Sequence, residues 1–413
     1  MKNIELLAPA GTFESLQAAI NAGCDSIYFG VHHLNMRARS SANFNFDDMK
    51  TISEICQKNN IKYYLTLNTL LYDHDLILTK NILKKAKEIQ VSAVIAADTA
   101  AITEAIKQKI PVHISTQLSV SNIETVKFWS AYADTIVLAR ELDLKMIKNI
   151  TSEIEKQNIK GPSGEKIKIE IFAHGALCIA ISGRCGMSLY TDNSSANRGA
   201  CKQPCRRAYE IIDKESGMPL EIDNEYVMSP KDICTIDFLD NVVESGVSVL
   251  KIEGRGRSPD YVDITIRCYK EALQALQNKT YSKEKINEWL KKLKTVYNRG
   301  FFDGYYLGGK KEIWSKAEGS VAKETKVFIG KIQKYFQKAG IAQIFIEAAD
   351  FPVNNKVLIT GTTTGVLWEN VTELRDENKN NIQLGVQKSI ATFPVSKRVR
   401  PGDKVYILEK VVN

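Results

Sequence analysis

Four cysteines are crowded into one central segment of the chain, where glycine, arginine and proline surround them. They are Cys178, Cys185, Cys201 and Cys205, and they are separated by six, fifteen and three residues. Thiolates are soft ligands, and four of them fit either one tetrahedral zinc ion or an iron-sulfur cluster. Zinc sites prefer two close pairs of ligands, so the wider spacing here favours a cluster. Burial as structural cysteines is the alternative, but the apolar pattern of a core is missing around them.

The other four cysteines are predicted to have a different role. Cys24, Cys56 and Cys268 lie within apolar or helical patterns, where a buried thiol packs as a small hydrophobic group. Cys234 follows a Ser-Pro-Lys-Asp sequence typical of a helix start, and it is predicted either to pack or to lie near the site as a fifth thiol. Eight cysteines in 413 residues are too few for a secreted disulfide scaffold, so a reducing, cytoplasmic location is predicted.

An acid, a base and a histidine are predicted to lie at the ends of two strands. His174 closes a strand four residues before Cys178, where it would orient a substrate or move a proton. Lys251 and Glu253 are two residues apart on the last strand of the alternating region, so their side chains point to the same face. The alternatives are a satisfied histidine and a structural ion pair.

Cationic and amide side chains follow several of the same strands. Arginine is suited to bidentate recognition of carboxylates and phosphates, so a small dicarboxylate is the predicted ligand. For the arginines after the second strand, a solvated loop is an equal alternative. The predicted substrate-binding residues are Arg37, Arg39, Gln117, Arg140, Arg255 and Arg257.

Short apolar runs alternate with amphipathic stretches through the first two thirds of the chain, which is typical of βα units. The predicted strands are 4–7, 26–30, 62–68, 93–98, 111–117, 135–140, 168–174 and 248–254. The predicted helices between them are 12–22, 46–58, 76–88, 99–107, 123–133 and 143–156. Eight such strands favour an α/β fold of the TIM type, a (β/α)8 barrel, whereas an open doubly wound sheet shares the same alternation and remains an alternative.

Two changes of pattern divide the chain. Residues 1–280 are predicted to form the barrel, with the cysteine-bearing insertion at about 175–230, and residues 281–325 to form a helical and loop linker. From there the apolar period changes to two, so residues 326–413 are predicted to form a small C-terminal β-barrel domain.

Charge and hydropathy restrict the class of partner. The net charge of +8, from 56 basic and 48 acidic residues, suits RNA or an anionic ligand without requiring either. No apolar run approaches the roughly 20 residues that span a bilayer, so no membrane partner is predicted. Both a homo-oligomer and a hetero-oligomer stay open.

Several motifs together resemble the collagenase-like peptidase family U-32. The signature lies at 170–188, around His174 and Cys178, and further similar strings lie at 5–11, 25–30, 115–117 and 250–255. The C-terminal β-domain also resembles one that is appended to many members.

The resemblance implies a mixed set of functions. The family was named for proteolysis, whereas relatives with the same cysteines are implicated in hydroxylation of tRNA uridine and ribosomal RNA cytidine and hold 4Fe-4S clusters. The branch that makes 5-hydroxyuridine at the wobble position of tRNA depends on prephenate. By this resemblance the cluster ligands would be Cys178, Cys185, Cys201 and Cys205, the cosubstrate prephenate and the partner tRNA. A peptidase with Cys178 as nucleophile and His174 as base, or a non-catalytic RNA-binding subunit, are the alternatives.

Overall fold

The computed structural model describes residues 4–39, 42–218, 226–309, 313–317 and 319–411 of the chain. These residues form a barrel of strands and helices and a second domain built on an antiparallel sheet. Among them, no helix has both the length and the apolar character that crossing a bilayer requires.

Ten strands within the described ranges form the sheet of the barrel. They are β1 (Glu5–Pro9), β2 (Ser26–Phe29), β3 (Lys62–Leu67), β4 (Ala93–Ala96), β5 (Val112–Ile114), β6 (Thr135–Val137), β7 (Lys168–Ala176), β8 (Asp232–Cys234), β9 (Val249–Ile252) and β10 (Phe301–Phe302). All except β8 and β10 pair in parallel in a ring, and β9 closes the ring because it pairs with both β1 and β7. Lys251 is thus opposite Leu7 on one side and Phe172 on the other. The predicted TIM-type barrel is confirmed, and the open doubly wound sheet is excluded.

The described part of the chain forms ten α-helices, which accompany the strands. They are α1 (Phe13–Asn21), α2 (Asp48–Lys58), α3 (Leu76–Glu88), α4 (Thr99–Lys107), α5 (Ile123–Ser130), α6 (Leu144–Gln157), α7 (Met187–Asp192), α8 (Leu239–Glu244), α9 (Pro259–Gln277) and α10 (Lys283–Leu293). Short 3-10 turns occur at Asp73–Asp75, Thr116–Leu118, Ala196–Arg198 and Pro204–Arg206. Side-chain caps fix several starts: Thr12 accepts from the backbone N of Ser15 at 3.2 Å, and Asp143 accepts from that of Met146 at 2.7 Å.

Cys234 lies in a strand, and the helix start predicted near it is wrong. Strand β8 pairs antiparallel with the end of β7, which places Cys234 opposite His174. The Asp232 carboxylate pairs with Arg299 at 3.4 Å and therefore does not cap a helix. Cys234 is buried beside the hydroxyl of Tyr269. Its position therefore favours a packing role over that of a fifth thiol at the site.

From residue 319 to residue 411, all of which the structure describes, eight further strands form the C-terminal domain. They are β11 (Glu324–Phe336), β12 (Ile341–Ile346), β13 (Phe351–Pro352), β14 (Asn355–Gly361), β15 (Gly365–Val371), β16 (Leu384–Gly385), β17 (Ile390–Pro394) and β18 (Lys404–Lys410). Six of them form an antiparallel half-barrel in the order β15-β14-β18-β11-β12-β17 around an apolar core of its own, and β13 pairs with β16. The predicted β-domain is therefore confirmed as a half-barrel, and β13, β16 and β17 are strands that the sequence pattern missed.

The half-barrel rests on the outside of the barrel, against α1 and α9. Lys326 forms an ion pair with Asp260 at 2.6 Å, and the indole N–H of Trp368 donates to Asp263 at 3.0 Å. Gly365 has φ +69°, and a Cβ there would lie 2.8 Å from the backbone N of Ala18. Glycine is required at this position because the two domains approach each other with no room for a side chain.

Candidate functional site

The carboxyl ends of the barrel strands and the segment after β7 enclose a cavity at one mouth of the barrel. All four cysteines of the central segment line it, and Lys251 and Glu253 line it from the last strand. In barrel enzymes this face carries the active site, because the loops after the strands converge there. The structure therefore brings the predicted metal ligands and the predicted acid and base together.

The four thiols are neighbours inside the cavity. Burial raises the pKa of Cys205, the adjacent Arg206 opposes that rise, and the charges of Cys178, Cys201 and Cys185 add to it. None of the four forms a disulfide. Four thiols that line one cavity are, by their chemistry, the donor set that soft metals prefer.

Cys201 is held by two local donors. Its Sγ accepts from the backbone N of Gln203 at 3.4 Å and from the Ser188 hydroxyl at 3.8 Å. Donors to a ligand sulfur fix its orientation and tune the metal that it binds.

The arrangement of the thiols bears on whether they could bind a single metal ion or a cluster. Among the residues that the structure describes, no three His, Cys, Asp or Glu side chains form a group that could hold a metal ion. A cluster of several irons bonds each thiolate to a different atom, so it needs ligands that surround a space rather than meet at one point. Four cysteines around one cavity fit that requirement in number and in chemistry.

Arginines fix the cysteine-bearing segment to the barrel mouth. Arg206 donates to the backbone oxygen of Pro230 at 2.6 Å, and Arg198 donates to that of Leu70 at 2.7 Å while its guanidinium pairs with Asp75. Gly199 has φ +78°, and a Cβ there would lie 2.1 Å from the backbone oxygen of Asn35. The segment is thus tied to the barrel on both sides of Cys201 and Cys205, which pre-orders the thiols.

Lys251 and Glu170 form a buried ion pair below the cavity. Lys251 Nζ lies 2.7 Å from Oε1 of Glu170 and 4.6 Å from the centre of the Tyr28 ring. Burial lowers the pKa of Lys251 and raises that of Glu170, and each partner opposes the shift of the other. Lys251 is one of the predicted catalytic residues. Glu170 is not among them, although its side chain points inward from β7 as that of Phe172 does.

Glu253 lies among arginines at the wall of the cavity. Its Oε1 accepts from Arg37 Nη2 at 2.7 Å. Burial alone would raise the pKa of Glu253, but the surrounding guanidinium groups, foremost that of Arg37, lower it to about 2. Glu253 is therefore ionised at neutral pH and is a weak base, so its geometry suits holding Arg37 in place.

Three more predicted binding residues line the cavity. Arg140 lies 3.8 Å over the Phe172 ring and donates to the backbone oxygen of Ala176 at 3.0 Å, whereas its Nε is buried without a partner. Arg255 donates to Thr66 at 2.7 Å, and burial lowers its pKa to about 10. Gln117 completes this group from the turn after β5. The cavity therefore offers several cationic donors and one carboxylate, a balance that favours an anionic ligand.

Two predicted arginines lie outside the cavity lining. Arg257 stacks on the Tyr297 ring at 3.6 Å, although it still acts on Glu253 through its charge. Arg39 contributes its backbone N to the oxygen of Gly199 at 3.2 Å, which again ties the cysteine segment down.

His174 faces away from the cavity. The pairing of β7 with β9 shifts register between Phe172 and His174, so His174 comes opposite Ile252 and turns to the helical layer. Its ring lies among Tyr269, Tyr261 and Phe301, and burial lowers its pKa to about 3. This placement does not favour the catalytic role predicted for it, because the ring does not reach the cavity. A β-bulge of this kind has no clear sequence signal.

Comparison with known proteins assigns the chain that forms this cavity to a family. The model of peptidase family U32 matches residues 11–316. A Porphyromonas gingivalis protein named collagenase is 47% identical over 410 residues, covering 99% of each chain. The tRNA hydroxylation protein P1 of Bacillus subtilis is 30% identical over 415 residues, covering 97% of this chain and 94% of its own. An Escherichia coli 23S rRNA 5-hydroxycytidine synthase is 33% identical over 274 residues, which are 66% of this chain and 40% of that protein.

The names of these relatives differ, but the family match covers the barrel from α1 onward, the cysteine segment and the region that follows as far as residue 316. The chain belongs to peptidase family U32.

Proposed function

We propose that this chain is an iron-sulfur enzyme that hydroxylates RNA, with tRNA uridine at the wobble position as its substrate and prephenate as its cosubstrate. The proposal rests on one observation. Four free cysteines and several cationic side chains, which suit an anionic ligand, line the same cavity. Relatives named for tRNA and ribosomal RNA hydroxylation support the class of reaction.

The cysteines would hold the cluster, which is proposed to be of the 4Fe-4S type. Cys178, Cys185, Cys201 and Cys205 are the ligands, and the donors to Cys201 from Gln203 and Ser188 would tune it. Such a cluster, when bound, supplies one-electron transfer. The protein contributes the positions of the thiols and a partly enclosed space around them.

The cationic side chains would bind the cosubstrate. Arg37, Arg140 and Arg255 line the cavity with Lys251, and the unpartnered Nε of Arg140 leaves one donor free for a ligand. Prephenate carries two carboxylates, and a buried guanidinium recognises a carboxylate through paired hydrogen bonds. Glu253 keeps Arg37 oriented, and its single negative charge leaves the site cationic.

Lys251 is the proposed proton carrier of the site. It lines the cavity, and burial lowers the pKa of its ammonium below the ordinary value, so it gives up a proton more readily than an exposed lysine does.

Two measurements test this function. Protein purified without oxygen is analysed for iron and acid-labile sulfide, with a matched preparation in which Cys201 is replaced by alanine. The gene is then expressed in a bacterial strain that lacks its own 5-hydroxyuridine pathway, and tRNA nucleosides are identified by mass spectrometry. We expect bound iron and sulfide and 5-hydroxyuridine from the wild type alone. Cluster-free protein, or unchanged tRNA with a loaded cluster, would contradict the proposal.

A peptidase is the second candidate, because a relative with 47% identity is named collagenase. The pair that sequence reasoning suggested, Cys178 with His174 as base, is not assembled, since His174 packs against α9 and does not line the cavity. A peptidase would therefore need another base. Hydrolysis of fluorogenic gelatin by wild-type protein, and its loss in Cys178→Ala, would favour this candidate.

A further inference from the structure

The inside of the barrel carries ionisable side chains where apolar packing is usual. Barrel interiors are mostly filled by layers of Val, Ile and Leu. Here Glu170 is fully buried, and Lys251 and His113 are 5% and 7% exposed. Together with Tyr64 and Glu5, they form a column from the cavity to the opposite end of the barrel. Such groups cost stability unless they are paired, so their presence calls for a function.

At the upper end of the column, one carboxylate joins two partners. Glu170 Oε1 accepts from Lys251 at 2.7 Å. Its other oxygen, Oε2, has no hydrogen-bond partner and lies 3.9 Å from Nδ1 of His113, which has none either. Two buried polar atoms that face each other without partners are rare, and one bridging water would satisfy both.

At the lower end, the column reaches solvent. The His113 ring packs against Tyr64 with 4.5 Å between ring centres. The Tyr64 hydroxyl donates to Glu5 Oε1 at 2.6 Å, and Glu5 Oε2 accepts from Lys62 Nζ at 2.9 Å. The side chain of Lys62 is 55% exposed. The column of ionisable groups therefore extends from the cavity to the amino-terminal end of the barrel, with hydrogen bonds at its two ends and a ring contact between His113 and Tyr64.

Burial and the surrounding charges shift the pKa values of the groups in the column. Burial raises the pKa of Glu170 and lowers that of His113 to about 3. The charged groups that act on the column from neighbouring strands and loops are Glu5, Asp134, Lys168, Arg140 and Arg255. Both shifts favour the uncharged side chains, so a proton that reaches His113 is passed on to Glu170.

We propose that Glu170 and His113 relay protons between Lys251 at the cavity and Glu5 at the opposite end of the barrel. Inward, the neutral His113 ring takes up a proton at Nε2 that Glu5 gives up, carried by a water past the Tyr64 ring, and releases its Nδ1 proton through a second water to Oε2 of Glu170. The carboxyl group then turns about its Cγ–Cδ bond and gives that proton to the neutral amine of Lys251. Outward, each N–H and O–H bond breaks and forms in the reverse order, and no electrons are exchanged.

Such a relay lets Lys251 change protonation while the mouth is covered. This benefit rests on the proposed function, because it takes the cavity as the place where RNA and cosubstrate bind. The relay itself is tested without either ligand, so its failure is distinguishable from a failure of RNA hydroxylation.

Time-resolved infrared spectroscopy after a rapid drop in pH tests the relay on the full-length protein. The carboxyl C=O band of Glu170 is identified as the band that Glu170→Gln removes. We expect Glu5→Gln to slow the appearance of this band by about tenfold or more, because the entry point at the far end is lost. Asp25→Asn is the matched control, since Asp25 lies at the same end but pairs with Lys270 on the outside of the barrel, and it should leave the rate unchanged.

Two results would overturn the relay. One is the absence of any Glu170 band over the pH range in which the protein stays folded. The other is a wild-type rate in Glu5→Gln, which would show that protons enter through the mouth. If Glu5→Gln does not fold, Tyr64→Phe keeps the ring that packs on His113 and removes the hydroxyl, and the same comparison of rates decides.

Discussion

Arg37 and Glu253 form a 2.7 Å ion pair inside the cavity, joining the loop after β2 to the end of β9. The two residues are far apart in sequence, and the closed barrel brings them together. Because the pair stands among other guanidinium groups, it links the anion site to the stability of the protein.

Glu253→Gln should destabilise the protein at neutral pH by about 3 kcal/mol, since the pKa of Glu253 is lowered from its ordinary value to about 2. A carboxylate with a lowered pKa stabilises the fold above its unfolded pKa of about 4.3, and that stabilisation is lost as the pH falls toward 2. Urea unfolding of both proteins across this range measures the difference. The gap between them should narrow as the pH falls, and a constant gap would contradict the assignment.

Replacing any of the four cavity cysteines by serine should remove most of the bound iron and sulfide. Each thiolate supplies one ligand, so the loss of one leaves an iron without its protein bond. Cys234→Ser is the control, because Cys234 is buried beside Tyr269 and does not line the cavity. Iron and sulfide analysis of anaerobic preparations checks this, and equal loss in the control would argue against the ligand assignment.

Lys251→Met should destabilise the protein by about 3–5 kcal/mol, because it leaves the Glu170 carboxylate buried without its cation. The double variant Lys251→Met/Glu170→Gln should recover part of this loss, since the unpaired charge is gone. Chemical unfolding of both single variants and the double variant forms a thermodynamic cycle. Simple additivity of the two changes would mean that the pair is not coupled.

Arg140→Gln should weaken prephenate binding by about tenfold or more, because a charged hydrogen bond contributes about 1.5–3 kcal/mol. Arg39→Gln is the matched control, as its side chain does not line the cavity. Calorimetric titration with prephenate measures both affinities. Equal effects of the two changes would place the anion site elsewhere.

His174→Phe should retain RNA hydroxylation, because the ring packs among Tyr269, Tyr261 and Phe301 outside the cavity. It should also resist acid better. The pKa of His174 is lowered to about 3, so the wild type loses stability as the pH falls from the unfolded value of about 6.5 toward 3, and the variant lacks that contribution. Activity assays and unfolding curves over this range test both statements. Loss of activity in a folded variant would restore the catalytic role.

Much of the architecture is encoded in local patterns. The predicted helices 76–88 and 99–107 match α3 and α4 at both ends, and all eight predicted barrel strands are present. Period and capping act over a few residues, so they can be read directly from the chain. The same local logic placed Lys251 and Glu253 on one inward face, and the crowding of the four cysteines indicated a shared site.

The alternation of strands and helices, the family and the polar residues that end the strands can all be read from the chain alone. Which of those residues meet depends on how distant strands pair in the folded protein. A register shift in β7 turned His174 outward, and stacking on Tyr297 took Arg257 out of the cavity lining. Closure of the ring through β9 set Lys251 beside Glu170. These outcomes depend on pairing between distant strands. A periodic pattern shows which face of a strand is buried but not which strand it pairs with or in which register.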